Sequence, residues 1–461
     1  MQDVIFDSDD DDHIIRAIAA IVAHQDTDTS DDDDNGDDVI VDEPHAWGSG
    51  SRPGKAPNLE RHRVFYSHLL FKDFWGDAPV YNAMYFKRFF KMPIGLFDSI
   101  VEGITEHDNY FTQKEDACRK LGFTTIQKIC PSVRLLTSGV AANEHDGKYR
   151  MAATTGIECM KRFCDATVEV YGETVLRHPN SVDMGRLLDE GCAAGFPGCI
   201  GLIDCMHWRW KNCPSSWRGM FQGKSGVATI VLEAIADHSC RFWHFNFGSP
   251  GGLNDINVLD HSPLFNNAIR GESPRVNFTV NGNPHEYAYK LGDGIYPEYA
   301  CIVKTVPRPI TRMQKMFASA QEGKRKDIER AFGMLQARFH ILTSPCCLWD
   351  RGAMDTVIRT CVILHNMIID YEAVHGIDGA YIDNEDYVPV HPFVVIPRDP
   401  AQNGNQRAEM IVGMQDHDQH TRLQHDLMAH RWQTWFAANH DDDDDGSNND
   451  SVDDDNEGME F

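Results

Sequence analysis

The sequence predicts a mixed α/β fold, in which an all-helical N-terminal region leads into a sheet of three antiparallel strands and two further strands, closed by long helices. Three observations carry this. Apolar residues recur at helical spacing from Leu59 to about Gly195. The texture then changes to short apolar runs broken by Gly, Pro and Asp, and a long amphipathic period returns after Met316. Low-complexity acidic ends frame this pattern and are expected to be disordered, because they bury too little apolar surface to offset their ordering entropy.

Charge is concentrated in those ends. Residues 1–45 hold sixteen acidic residues against one basic, Arg16, and residues 441–461 hold eleven acidic and no basic residues. Of the net charge of −27, only −1 remains for residues 46–440, so the isoelectric point says little about a ligand. The boundaries that follow are an acidic segment over 1–58, a helical domain over 59–195, an α/β domain over 196–375, a helical extension over 376–440 and an acidic tail over 441–461. Within the first segment, Ile14 to Val22 has a short helical period suited to docking a partner or to no role at all.

The thirteen cysteines show no paired spacing beyond the vicinal Cys346-Cys347, which argues for reduced thiols in the cytosol or nucleus. Cys199, Cys205, Cys213, Cys346 and Cys347 lack the close Cys-x-x-Cys pairs that structural zinc favours. No run of about 18 apolar residues stands out, so no membrane span is expected. The N-terminus lacks the basic-then-apolar pattern of a signal peptide.

Taken in order, Tyr85, Phe86, Phe89 and Phe90 fall at helical spacing, followed by Phe97, Ile100, Val101 and Ile104, and read as core. Thr124 to Leu136 and Thr154 to Tyr171 form two helices around a polar loop. With Lys148, Arg150, Lys161 and Arg162 nearby, they are compatible with a helix-turn-helix reader of DNA. Strands are expected over Cys199–Asp204, Val227–Ala236 and Arg241–Phe247. Asn254-Asp255 caps a helix through Leu259, and strands over Tyr287–Leu291 and Cys301–Val306 follow. Helices over Ala318–Phe339 and Thr356–Tyr371 complete the core. Sequential strands pair most simply as an antiparallel meander, and strands reached through a helix add in parallel. That order is ribonuclease-H-like.

Asp204 closes the first strand and Asp293 the fourth, while Glu329 lies on the helix expected to cover that end. A buried carboxylate must be paired or metal-bound. Clustered Asp and Glu on rigid elements suit hard divalent ions such as Mg²⁺, and two such ions can drive an in-line phosphoryl displacement. Asp255 is a fourth candidate, as an accessory metal ligand or as a helix cap. Asp237 and Asp260 read as surface residues. Lys324, Arg325 and Lys326 lie about one turn from Glu329 and are placed to hold a DNA phosphate, as are Lys211 and Lys304. Trp208 and Trp210 suit either a DNA contact or packing. A stripe of Lys304, Arg308, Arg312 and Lys315 leads toward Lys324.

Five blocks make the sequence familiar: GFPGCIGLIDCMHWRWKNCPSSWRG, FGSPGGLNDINVLDHSPLF, LGDGIYPEY, QEGKRKDIERAFGMLQARF and CVILHNMIID. Over about residues 120–375 the chain resembles the plant-type transposases of PIF/Harbinger elements and the domesticated nucleases derived from them. The resemblance implies a DDE nuclease with a ribonuclease-H-like core and a Mg²⁺ or Mn²⁺ requirement. It further implies DNA cleavage at terminal inverted repeats followed by strand transfer. Its acidic residues would be Asp204, Asp255, Asp293 and Glu329, with Asp204, Asp293 and Glu329 catalytic. It also implies a nuclear location and a separate Myb-like partner, and a homo-oligomer is compatible with it. The competing expectation is a domesticated DNA- or chromatin-binding protein without catalysis.

Overall fold

The computed structural model describes residues 59–223, 225–266, 275–376, 394–396 and 404–440. Both acidic segments and the patch from Ile14 to Val22 lie outside them. Among the described residues, six helices of eight residues or more precede the sheet: α1 (Arg63–Phe74), α2 (Ala83–Phe90), α3 (Ile94–His107), α4 (Thr125–Ser138), α5 (Ala153–Val175) and α6 (Ser181–Ala193). Side chains that satisfy the first free amides set three of these starts. Asn82 accepts from the amides of Met84 and Tyr85. Thr124 with Gln127, and Asn180 with Asp183, close reciprocal capping boxes on α4 and α6. Phe86, Phe90, Phe97, Ile100 and Ile104 are buried as expected, with the Phe86 and Phe90 rings 4.6 Å apart. Tyr85, expected among them, is exposed.

The main sheet has the order β3-β2-β1-β6-β7. Its strands are β1 (Cys199–Arg209), β2 (Thr229–Ala236), β3 (Phe242–Pro250), β6 (Tyr289–Leu291) and β7 (Ile302–Val303). β1 to β3 form the antiparallel meander, and β6 and β7 join β1 in parallel. Helix α7 (Asp255–Asp260) follows β3, and a second sheet of order β5-β4-β8 is built from β4 (Arg275–Val280), β5 (Asn283–His285) and β8 (Val394–Ile396). This second sheet was not expected. Asn281-Gly282, both with left-handed φ, turn the β4–β5 hairpin and are the sequence signal that marks it.

Two long helices cover the main sheet, α8 (Arg312–Arg338) and α9 (Arg351–Val374). The C-terminal helices α10 (Gly404–Met414) and α11 (His417–His440) follow. By length and apolar composition α9 qualifies as a membrane-crossing helix, against the expectation that no stretch does. Its apolar surface is spent inside the fold, with 67% of its most apolar window buried. Asn366 shows why the last sequence block is architectural. Its side chain accepts from the Phe242 amide at 2.9 Å and donates to the Phe242 carbonyl at 2.8 Å, fixing α9 to β3.

A second correction concerns Asp237. It is buried, accepting from Ser239 Oγ, the Arg241 amide and the Trp243 indole at 2.6–3.0 Å, and it organises the β2–β3 turn. Turn chemistry suggested a surface residue, but a carboxylate with three donors can be enclosed.

Candidate active site

β1 extends five residues beyond Asp204, so the aspartate does not end the strand as expected. What ends there is the parallel pairing. β1 and β6 are last in register at Leu202 and Leu291, while β2 continues beside β1 to the Arg209–Thr229 pair. Two residues past that last pair stand Asp204 and Asp293, which therefore leave the parallel ladder side by side. Close packing demands the glycine before Asp293, since a Cβ on Gly292 would meet Ile302 at 2.9 Å and Tyr296 at 3.1 Å. Local amides fix both carboxylates. The Cys205 amide donates to Asp204 Oδ1 at 2.8 Å and the Gly294 amide to Asp293 Oδ1 at 2.6 Å.

Asp255 is released from capping by its neighbour, because Asn254 accepts from the Asn257 amide at 2.9 Å. Asp255 sits at the first position of α7, within electrostatic reach of the Cys205 thiol. Burial raises its pKa from the ordinary aspartate value; the Cys205 thiol and His207 pull it back, and Asp293 and Glu233 push it up. Asp204 is also raised, first by burial and then by Asp255 and Asp293, against the pull of the Cys205 amide and Arg325. Three aspartates are thus held within electrostatic reach of one another in a half-buried place, an arrangement that calls for positive charge.

Arg325 brings the fourth. One guanidinium nitrogen donates to Asp204 Oδ2 at 3.1 Å, and another lies 3.1 Å from Glu329 Oε1 one turn along α8. The helix is held at this height by Gln321, which is buried and donates to the carbonyls of Gly292 at 2.9 Å and Val303 at 3.3 Å. Nothing in the sequence period singles out Gln321, since its role depends on the loop it meets. Glu233 was also passed over. It is fully buried on β2, opposite Cys205, with His244 Nε2 at 3.7 Å. Among the described residues, no three His, Cys, Asp or Glu side chains come close enough to hold one metal ion. Arg325 lies between Asp204 and Glu329. The donor set, all carboxylate oxygen, matches a hard divalent cation.

The basic residues divide. Lys211 and Lys326 are exposed. Lys304 is engaged by the Tyr296 carbonyl at 3.1 Å and Glu298 at 3.3 Å. Lys324 is engaged by His238 and Asp327, and Arg312 lies over the Trp435 ring. Arg308 and Lys315 stay exposed. Among the helix-turn-helix candidates, Lys148 rests on the Phe89 ring and Arg150 on the Tyr66 ring, while Arg162 pairs with Glu158. Trp208 and Trp210 are buried, so packing is their role.

The model of the plant transposon protein family matches residues 173–375, a span that contains all five sequence blocks. An ALP1-like protein of Arabidopsis thaliana is 26% identical over 255 residues, 53% of this chain and 61% of its own length. The HARBI1 protein of Bos taurus, named as an inferred nuclease, is 23% identical over 264 residues, 54% of this chain and 69% of its own. A second Arabidopsis thaliana protein, named antagonist of like heterochromatin protein 1, is 24% identical over 255 residues, 53% of this chain and 62% of its own. The chain therefore spans about three fifths of the length of these plant relatives. No solved structure matches. The resemblance to Harbinger-derived transposases and nucleases holds.

Proposed function

We propose that this chain, Harbinger-derived by its matched segment, is a divalent-metal-dependent DNA endonuclease of the PIF/Harbinger type that cuts at element ends and transfers strands. The reading rests on one observation: Asp204, Asp255 and Asp293 gather where the parallel ladder ends, and Arg325 ties Glu329 to Asp204 above them. The five-strand order supports a ribonuclease-H-like core. In this reading Asp204 and Asp293 hold Mg²⁺ or Mn²⁺ with Glu329, and Asp255 is an accessory ligand. A cation bound there supplies charge neutralisation and water activation for phosphoryl displacement. The chain's own part is to fix the aspartates on rigid backbone, to hold the leaving end of the strand against Arg325 and Lys326, and to keep Glu329 within reach on α8. A nuclear location, terminal-repeat DNA, a Myb-like partner for end recognition and self-association belong to the same reading.

One observation favours the alternative, a domesticated DNA- or chromatin-associated protein without catalysis. Arg325 already pairs with Asp204 and Glu329, so these two carboxylates share a counter-charge without a metal. The Glu329→Gln variant separates the two readings, because the change removes charge with little change in volume. The nuclease reading expects Mn²⁺-dependent cutting of inverted-repeat DNA by the wild type and none by E329Q, at unchanged urea midpoint. Cutting retained by E329Q refutes Glu329 as a ligand, and no cutting by the wild type with its partner present favours the binding protein.

A further inference from the structure

Past the carboxylates, β1 runs five residues to Arg209, about 17 Å at strand rise. The chain there has a charge unusual for this protein. Residues 205–232 contain no Asp or Glu yet carry Arg209, Lys211, Arg218 and Lys224, in a sequence of net charge −27. The strand end is sewn to the segment before α9. Trp208 Nε1 donates to the Ser344 carbonyl at 3.0 Å and Trp210 Nε1 to the Leu348 carbonyl at 2.8 Å. The Lys211 amide bonds the Cys346 carbonyl at 2.9 Å.

Along this seam two large rings remain outside, Trp217 at 41% and Trp349 at 67% exposure. Trp217 is held in place. It stacks on Phe221 at 6.2 Å and 23°, and the Arg351 guanidinium lies 5.3 Å from its centroid. Since Leu348 is bonded to Trp210 and Arg351 lies over Trp217, Trp349 borders the same patch.

We propose that this seam is a stacking platform for an unpaired DNA strand. Trp217 and Trp349 take base faces, and Lys211, Arg218 and Arg351 meet phosphates. The inference rests on the DNA-acting reading above. Three features select this occupant. Fixed exposed rings interleaved with cations are what single strands use, because every base has a face to stack. The core of a protein interface is instead depleted of charge. Bases in a duplex are already stacked on one another, so only an unpaired stretch can reach the rings. At about 3.4 Å per nucleotide, the strand from Asp204 to Arg209 alone spans about five nucleotides.

The test uses the full chain with EDTA, a fluorescein-labelled single strand and the matching duplex, read by anisotropy. The double variant W217A/W349A is expected to lose about tenfold or more in single-strand affinity and far less on the duplex, with W217F/W349F restoring most of the loss. An unchanged urea midpoint excludes misfolding. Should the alanine pair misfold, R218E at an exposed position is expected to weaken single-strand binding with the fold intact. Equal affinity of wild type and folded variants overturns the platform alone. Self-association abolished by W217A/W349A at unaltered single-strand affinity overturns it in favour of a protein contact. A wild-type chain that binds neither DNA overturns the platform together with the DNA-acting reading.

Discussion

Replacing Arg325 by Met should make the metal-free chain less stable and its divalent-ion binding tighter. Arg325 and Asp204 are each about four-fifths buried and meet at 3.1 Å, so their charge-assisted hydrogen bond is worth about 1.5–3 kcal/mol. The pair with half-exposed Glu329, one turn away on the same helix, adds only about 0.3–0.5 kcal/mol. Met keeps the aliphatic bulk and removes both contacts, for an expected cost of about 2 kcal/mol in urea unfolding with EDTA present. A cation that needs Asp204 and Glu329 must displace this guanidinium in the wild type and need not in R325M. The variant should therefore bind Mn²⁺ up to about 30-fold more tightly, since 1.4 kcal/mol corresponds to a factor of ten. Calorimetric titration with Mn²⁺ measures this directly, and the unfolding midpoint at saturating Mn²⁺ should show R325M regaining its lost stability. Weaker or equal Mn²⁺ affinity in a folded R325M would refute the competition.

Three further outcomes follow from the geometry. Gln321→Leu removes both bonds to the Gly292 and Val303 carbonyls; it should lower stability by about 2 kcal/mol and weaken Mn²⁺ binding as α8 loses its register, and a wild-type urea midpoint would contradict this. Glu190 on α6 is pushed up to about 7, mainly by burial and also by Asp237, against the pull of Arg186. Between about pH 4.5 and 7 the folded chain keeps a proton that the unfolded chain has released, so stability falls as pH rises through that window. E190Q should flatten the fall by something on the order of 2 kcal/mol, read from urea midpoints at either end, and parallel curves would refute it. Deleting 1–45 and 441–461 removes the acidic ends and should raise DNA affinity, more at low salt than at high salt; equal affinity at low ionic strength would reduce them to solubility elements.

What the sequence reveals is what repeats or punctuates. The meander, the parallel addition of β6 and β7, and the two long helices follow from period and order, because apolar spacing survives in any context. Asp204 and Asp293 stand together because each lies two residues past the last β1–β6 pair, an end that a strand-by-strand reading does not show. From its place beside Glu329, the sequence suggests Arg325 as a phosphate contact. That it bridges two carboxylates depends on the height of α8, which is set by Gln321 on a loop distant in sequence. Burial of Asp237 was hidden for a similar reason: its three donors come from the turn that it helps to build. Trp208 and Trp210 were ambiguous because packing and DNA contact ask for the same ring, and only the chain before α9 decides between them.

Helix α11 lies beyond the family-matched segment, yet it finishes the hydrogen bonding of that segment. His420 meets the carbonyls of Tyr299 and Ile302 at 3.1 and 3.0 Å, Gln424 that of Lys304 at 2.9 Å, and Arg431 that of Ala194 at 2.8 Å. Its Asp426 takes Asn283 at 2.8 Å and His285 at 3.0 Å. On the ribosome these groups arrive after the strands they complete. At roughly 5–20 residues per second, the roughly 140 residues from β7 to the end of α11 take on the order of ten seconds to appear. Through that interval the edge of the sheet that carries the carboxylates waits for its last partners. A message cut short before residue 417 therefore yields a chain with every acidic residue of the site and no finished wall behind them, a target for quality control.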